Sequence, residues 1–105
     1  MEQRTFVSRV VGLTLAVRGV KHVFGVVGSG NYHVTAALQD GGARFVAARH
    51  ESGATSMADA LFRTSGQVGV VSVHQGPGLT NTMTAIGEAV KSHIPLIVVA
   101  GAAAQ

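Results

Sequence analysis

The chain has no cysteine, which excludes a disulfide, a thiolate metal centre and a Cys nucleophile together. Charge is scarce as well, at 12% of residues against 47% hydrophobic. The eight basic residues lie scattered from Arg4 to Lys91, with no run and no interleaved aromatics. The net charge of +3 therefore carries no nucleic-acid signature. Met1-Glu2-Gln3-Arg4 leads into an interrupted apolar pattern, not a secretory signal. The apolar stretch Pro95 to Ala104 is too short for a membrane span, which needs about 20 residues. These absences fit a cytoplasmic protein with neither nucleic-acid nor membrane partners. No His pair has metal-ligand spacing with a third ligand in view, so no metal site is expected.

What is present is glycine, 14 of 105 residues, and an alternation of two periodicities. Val7, Val10, Val11 and Leu15 share a helical face, with Thr5 as N-cap and Gly19 as stop. His22 to Val27 reads as a buried strand, Gly28-Ser29-Gly30-Asn31 as a turn, and Tyr32 to Gln39 as a helix ended by Gly41-Gly42. Arg44 to Ala48 is a second strand. Ala54, Met57, Ala58, Leu61 and Phe62 repeat at helical spacing up to Gly66. Val68 to Val73 is a third strand, and Leu79, Met83, Ile86 and Val90 mark a fourth helix. Pro95 opens the last strand, Leu96 to Ala100. Apolar strands without polar alternation, each followed by a helix, predict an α/β fold: three layers, α/β/α, around a parallel sheet. The chain stops four residues after Gly101, directly beyond a strand. The expectation is one domain over 1–105, belonging to a longer protein or to a subunit that borrows surface from a partner.

Two strand-to-helix junctions concentrate the chemistry. Arg49-His50-Glu51-Ser52-Gly53-Ala54 places one carboxylate at the start of the amphipathic helix. Glu51 either complements that helix's dipole or, among the small residues Ala47, Ala48, Gly53 and Ala54, exchanges a proton with a ring nitrogen of a flat ligand. His74-Gln75-Gly76-Pro77-Gly78-Leu79-Thr80-Asn81 places a Gly-Pro-Gly turn one strand later. His74 ends a buried strand there and is either a satisfied structural residue or a proton-transfer group. Gly28-Ser29-Gly30-Asn31 is a tight turn or, less specifically, a phosphate cradle. His22, His33, His50 and His93 read as structural.

Four segments in order carry a resemblance. Val23-Phe24-Gly25-Val26-Val27-Gly28 is similar to a "VFGVPG" strand and loop, with Val27 in place of Pro. Arg49-His50-Glu51 with Met57-Ala58-Asp59-Ala60 is similar to "RHEQGAAHMADGYAR". Gly76-Pro77-Gly78-Leu79-Thr80-Asn81 is similar to "SGPGATN", and Pro95 to Gly101 to "PLVVLTG". From about Arg4 to Gly101 the chain resembles the pyrimidine-binding domain of thiamine-diphosphate enzymes of the acetolactate synthase and benzoylformate decarboxylase type. The resemblance implies the strand order 2-1-3-4 for the parallel sheet. It also implies that Glu51 activates the cofactor's aminopyrimidine at N1′ and that Gly28, Pro77 and Asn81 lie around that ring. It places His74 where benzoylformate decarboxylase has an active-site histidine. It implies a 2-keto acid substrate, with carboligation or decarboxylation as the reaction. The diphosphate and its Mg²⁺ would be held by a separate domain whose Gly-Asp-Gly…Asn motif does not occur here. A homo-oligomer, or a partner carrying that domain, is implied, and the chain alone should be inactive. The competing expectation is a non-catalytic α/β module for nucleotide binding or protein interaction.

Overall fold

The protein is described here from a computed structural model covering residues 6–101. The elements in chain order are α1 (Val7–Val17), β1 (His22–Gly25), α2 (Tyr32–Asp40), β2 (Arg44–Ala47), α3 (Glu51–Ser65), β3 (Val70–Val73), α4 (Pro77–Thr80), α5 (Met83–Lys91) and β4 (Ile97–Ala100). The four strands form one parallel sheet in order β2-β1-β3-β4, as the resemblance implies.

Successive side chains on a strand point to opposite faces, and the two apolar clusters sort accordingly. Val23, Val70, Phe45, Ile97 and Val99 pack with Leu15 of α1 and Leu38 of α2. Phe24, Val71, Val73, Val46 and Val98 pack with Ala54, Met57, Ala58 and Leu61 of α3 and Leu79 of α4. Helices therefore cover both faces, which gives three layers. Val23, Leu38, Val70 and Val71 are fully buried, and each contributes about 1.5–3 kcal/mol of transfer free energy.

Two glycines let the helices of one layer touch. A Cβ on Gly12 would sit 2.6 Å from the Ala37 Cβ, and one on Gly41 would sit 2.5 Å from the Ala16 Cβ. In the other layer Arg63 Nε donates to the buried Asp59 at 2.5 Å and its guanidinium also reaches Glu88 of α5 at 3.6 Å. The Asp59 hydrogen bond holds the Arg63 guanidinium above its ordinary range.

Several boundaries differ from the sequence pattern. β1 ends at Gly25, and Val27 is exposed in the loop beyond it. The fourth helix is two pieces, α4 and α5, which break at Asn81 and Thr82. Of its predicted stripe, Met83 and Val90 are exposed and only Ala89 of α5 is buried. On α1, Val7 and Val10 are likewise exposed, because the close approach to α2 is made at Gly12. The predicted cap Thr5 lies outside the described residues; Phe6 stands at the N-cap position, without a side-chain cap bond.

Candidate functional site

In a parallel sheet the loops leaving the carboxyl ends of the strands share one edge of the molecule, and a crevice opens where consecutive connections diverge. Here that point lies between β1 and β3. The chain leaves β1 toward α2 on one face and leaves β3 toward α4 and α5 on the other.

Glu51 is the first residue of α3. His50 precedes it as N-cap: its Nδ1 accepts the Ser52 N–H at 3.1 Å, which satisfies one of the donors a helix start leaves free. His50 thus has a structural contact as the cap of α3. The Glu51 side chain is half-buried. Its Oε1 accepts from Asn81 Nδ2 at 3.2 Å. Its Oε2 lies 3.6 Å from where a Gly78 Cβ would be. Among the described residues no cation pairs with this carboxylate and no protein donor reaches Oε2. The same vacant Gly78 position lies 3.3 Å from the His74 Cβ, so Glu51, His74, Gly78 and Asn81 form one cluster. Pro77 stands exposed at the head of α4, where its missing N–H costs nothing.

The loop after β1 joins this cluster through side chains. Gly30 N–H donates to His74 Nδ1 at 2.9 Å. Gly28 N–H donates to Asn31 Oδ1 at 3.0 Å, and a Gly28 Cβ would lie 3.0 Å from the His74 Cβ. Both amides are therefore used internally, so the turn reading of Gly28-Ser29-Gly30-Asn31 is favoured over the phosphate cradle. Gly30 has no room for a side chain. Its Cβ would overlap the Gln75 side-chain oxygen and come 2.5 Å from His74 Nδ1. That Gln75 oxygen is buried and has no hydrogen-bond donor among the described residues.

Beneath the loop, Asn31, Thr35 and Ser72 are buried polar residues. Asn31 Nδ2 donates to the Val26 carbonyl at 3.2 Å and to Ser72 Oγ at 3.1 Å. Thr35 Oγ1 donates to the Asn31 carbonyl at 2.8 Å and lies 2.8 Å from Ser72 Oγ. Sequence reasoning placed Asn31 only in a turn and passed over Ser72, Thr35 and Gln75. The one available signal was a serine within an otherwise apolar buried strand.

The remaining histidines make no hydrogen bond to the cluster among the described residues, although His33 lines a cavity with Gly30. His22 stacks on Phe24 at 6.2 Å at the start of β1, with its Nδ1 buried and without a partner among the described residues. His33 meets Tyr32 edge-on at 5.4 Å. His93 lies in the turn before β4.

Comparison with known proteins identifies the family. The family described as "Thiamine pyrophosphate enzyme, N-terminal TPP binding domain" matches residues 6–105. The chain belongs to that family. It is 46% identical over 94 residues to 2-hydroxyacyl-CoA lyase 2 of Danio rerio, covering 90% of this chain and 15% of the relative. It is 44% identical over 95 residues to the acetolactate synthase isozyme 3 large subunit of Escherichia coli, covering 90% of this chain and 17% of the relative. It is 37% identical over 86 residues to sulfoacetaldehyde acetyltransferase of Castellaniella defragrans, covering 82% of this chain and 14% of the relative. The chain thus spans less than a fifth of the length of these relatives, whose names carry three different reactions. Among the described residues no helix is long and apolar enough to cross a membrane.

Proposed function

We propose that this thiamine-pyrophosphate enzyme domain binds the cofactor's aminopyrimidine, and that Glu51 activates the ring at N1′. The proposed whole enzyme acts on a 2-keto acid by carboligation or decarboxylation. The observation that carries this reading is the state of the Glu51 carboxylate. One oxygen is oriented by a neutral amide, and among the described residues the other meets no protein donor and no cation neutralises the group. A carboxylate that only complemented the dipole of α3 would not need a carboxamide from the turn between α4 and α5 to aim it.

The residues present fit such a ring. Glu51 Oε2 supplies an acceptor for a protonated ring nitrogen. Gly78 is buried, and a Cβ there would come within 3.3 Å of the His74 Cβ and 3.6 Å of Glu51 Oε2, so the missing side chain keeps the space beside the carboxylate clear. Gly28, Pro77 and Asn81 border the same edge and would hold the ring with Glu51. When bound, thiamine diphosphate supplies an electron sink for the carbon adjacent to a carbonyl. In this reading Asn81 holds Glu51, Glu51 holds or releases the proton at N1′, and His74 acts on the substrate. The diphosphate and Mg²⁺ would be held by a domain outside residues 1–105, in the same polypeptide or an associated copy, and the assembly would work in the cytoplasm.

The test is Glu51→Gln in the full-length enzyme. Volume and helix position are preserved, so the fold should persist. A neutral amide cannot carry the proton, so hydrogen–deuterium exchange at C2 of the bound cofactor should slow by at least about two decades. If Glu51 serves only the helix dipole, the change costs under about 1 kcal/mol of stability and leaves exchange alone. Exchange within about threefold of wild type sinks the catalytic assignment.

A further inference from the structure

We propose that Asn31 is a positioning residue: by fastening the Gly28–Gly30 loop to β3, it fixes His74 as a hydrogen-bond donor through Nε2. The functional meaning of that donor rests on the reading of this cluster as the cofactor-facing edge of the domain.

The argument begins with which atoms can donate. A backbone N–H can only donate, and Gly30 N–H points at His74 Nδ1 from 2.9 Å. Nδ1 must therefore hold a lone pair, which leaves the proton of the neutral ring on Nε2. In this tautomer Nε2 cannot act as a base. It offers a donor to an oxygen, such as the carbonyl or carboxylate oxygen of a 2-keto acid.

The tautomer is only as well defined as the position of the Gly30 amide, and the buried polar residues set that position. Asn31 Nδ2 only donates, and the Asn31 carbonyl only accepts. With Thr35 Oγ1 donating to that carbonyl, its contact with Ser72 Oγ must be an acceptance. Ser72 in turn accepts from Asn31 Nδ2. The hydrogen bonds therefore run one way round a closed ring, from the Asn31 amide through Ser72 and Thr35 back to the Asn31 carbonyl. Such rings polarise each bond in the same sense. Asn31 also accepts from Gly28 N–H and donates to the Val26 carbonyl, so the loop is tied on both sides of Gly30. Gln75 and His74 close the space around the Gly30 Cα. Neither Asn31 nor Ser72 needs to touch substrate for the arrangement to work.

The test uses the full-length protein labelled with ¹⁵N-histidine. Long-range ¹H–¹⁵N correlation reads the tautomer, and His74 is assigned by the signals lost in His74→Asn. Wild type should show the Nε2–H tautomer for neutral His74. Asn31→Ala should shift the tautomer ratio toward Nδ1–H by about fivefold or more, the effect of losing roughly one net hydrogen bond. If that variant does not fold, Ser72→Ala removes one member of the ring and should shift the ratio in the same direction by less. An Nδ1–H tautomer in wild type, or an unchanged ratio in the folded variant, overturns the proposal. His74→Asn separates fastening from donation. Its Oδ1 can accept from Gly30 N–H in place of Nδ1, but nothing replaces Nε2–H. Gly30 amide protection should persist while kcat falls at least ~10-fold, with the cofactor KM unchanged. Unchanged kcat overturns the donor role even where Glu51→Gln behaves as expected. A failure at Glu51 with the tautomer result intact overturns the cofactor reading instead and leaves the fastening standing.

Discussion

The two ends of the sheet use glycine for opposite reasons. At the end where helices return to strands, the turn before each of β1, β2 and β3 contains a glycine with positive φ: Gly19 at 105°, Gly42 at 102° and Gly66 at 75°. A Cβ at any of the three would meet nothing within 4 Å. Conformation, not space, demands glycine there. At the carboxyl end, Gly25, Gly30 and Gly101 have ordinary negative φ, yet a Cβ on each would collide with a neighbour. There the demand is steric, because backbones and side chains of different loops converge. Gly76, which turns the chain from β3 into α4 at φ 68° with open space around it, is the exception at this end; otherwise one end is built to turn and the other to hold atoms close, and the candidate site lies at the second.

The sharpest way to break this comparison is Gly30→Ala. The new methyl should overlap Gln75 and His74, costing about 1–3 kcal/mol by overpacking. Exchange of the β3 amides, which reports opening of this domain, measures the loss. Adding Gln75→Ala should recover a large part of it. A double mutant no better than the sum of its singles would remove the steric account. Gly66→Ala should cost about 1–2 kcal/mol through its left-handed φ while leaving Gly30 amide protection intact. A loss of that protection would show that the two ends are not separable.

The fourth helix-to-strand turn sharpens the contrast. Before β4 the left-handed residue is His93, at φ 57°, the one non-glycine with positive φ among the described residues. His93→Gly should therefore stabilise the domain by up to about 1 kcal/mol, the left-handed penalty offset in part by glycine's greater unfolded-state freedom. The smallest effect belongs to Gly87, in the interior of α5 with open space around it. Gly87→Ala should add about 0.5–1 kcal/mol. Destabilisation by either change would mean that these positions are in contact with something beyond residues 6–101.

These contrasts also separate what the sequence carries from what it does not. The strand order comes from the family resemblance, whereas the layering and the junction at Glu51 follow from apolar periodicity and from glycines adjacent to strands. Such signals are local. The break between α4 and α5 was hidden because Leu79, Met83, Ile86 and Val90 keep helical spacing across it, although Met83 and Val90 are exposed. The contact of Asn81 with Glu51 joins residues 30 apart, and that of Asn31 with Ser72 joins residues 41 apart. No spacing rule reaches so far. The sequence could name Glu51, His74 and Asn81 as candidates, but the bond that sets His74's tautomer needed Gly30 placed beside it in space.

The crowding at Gly30 also constrains how this site can change over generations. Residues 30, 74 and 75 share one small volume, so they cannot drift independently. A side chain at 30 becomes admissible only after 75 has shortened, and a protein that makes the changes in the other order passes through a damaged intermediate. Relatives with a larger residue at the position of Gly30 should therefore carry a small one at that of Gln75. Libraries aimed at new substrates should vary the three positions jointly, since scanning them one at a time would reject combinations that fold.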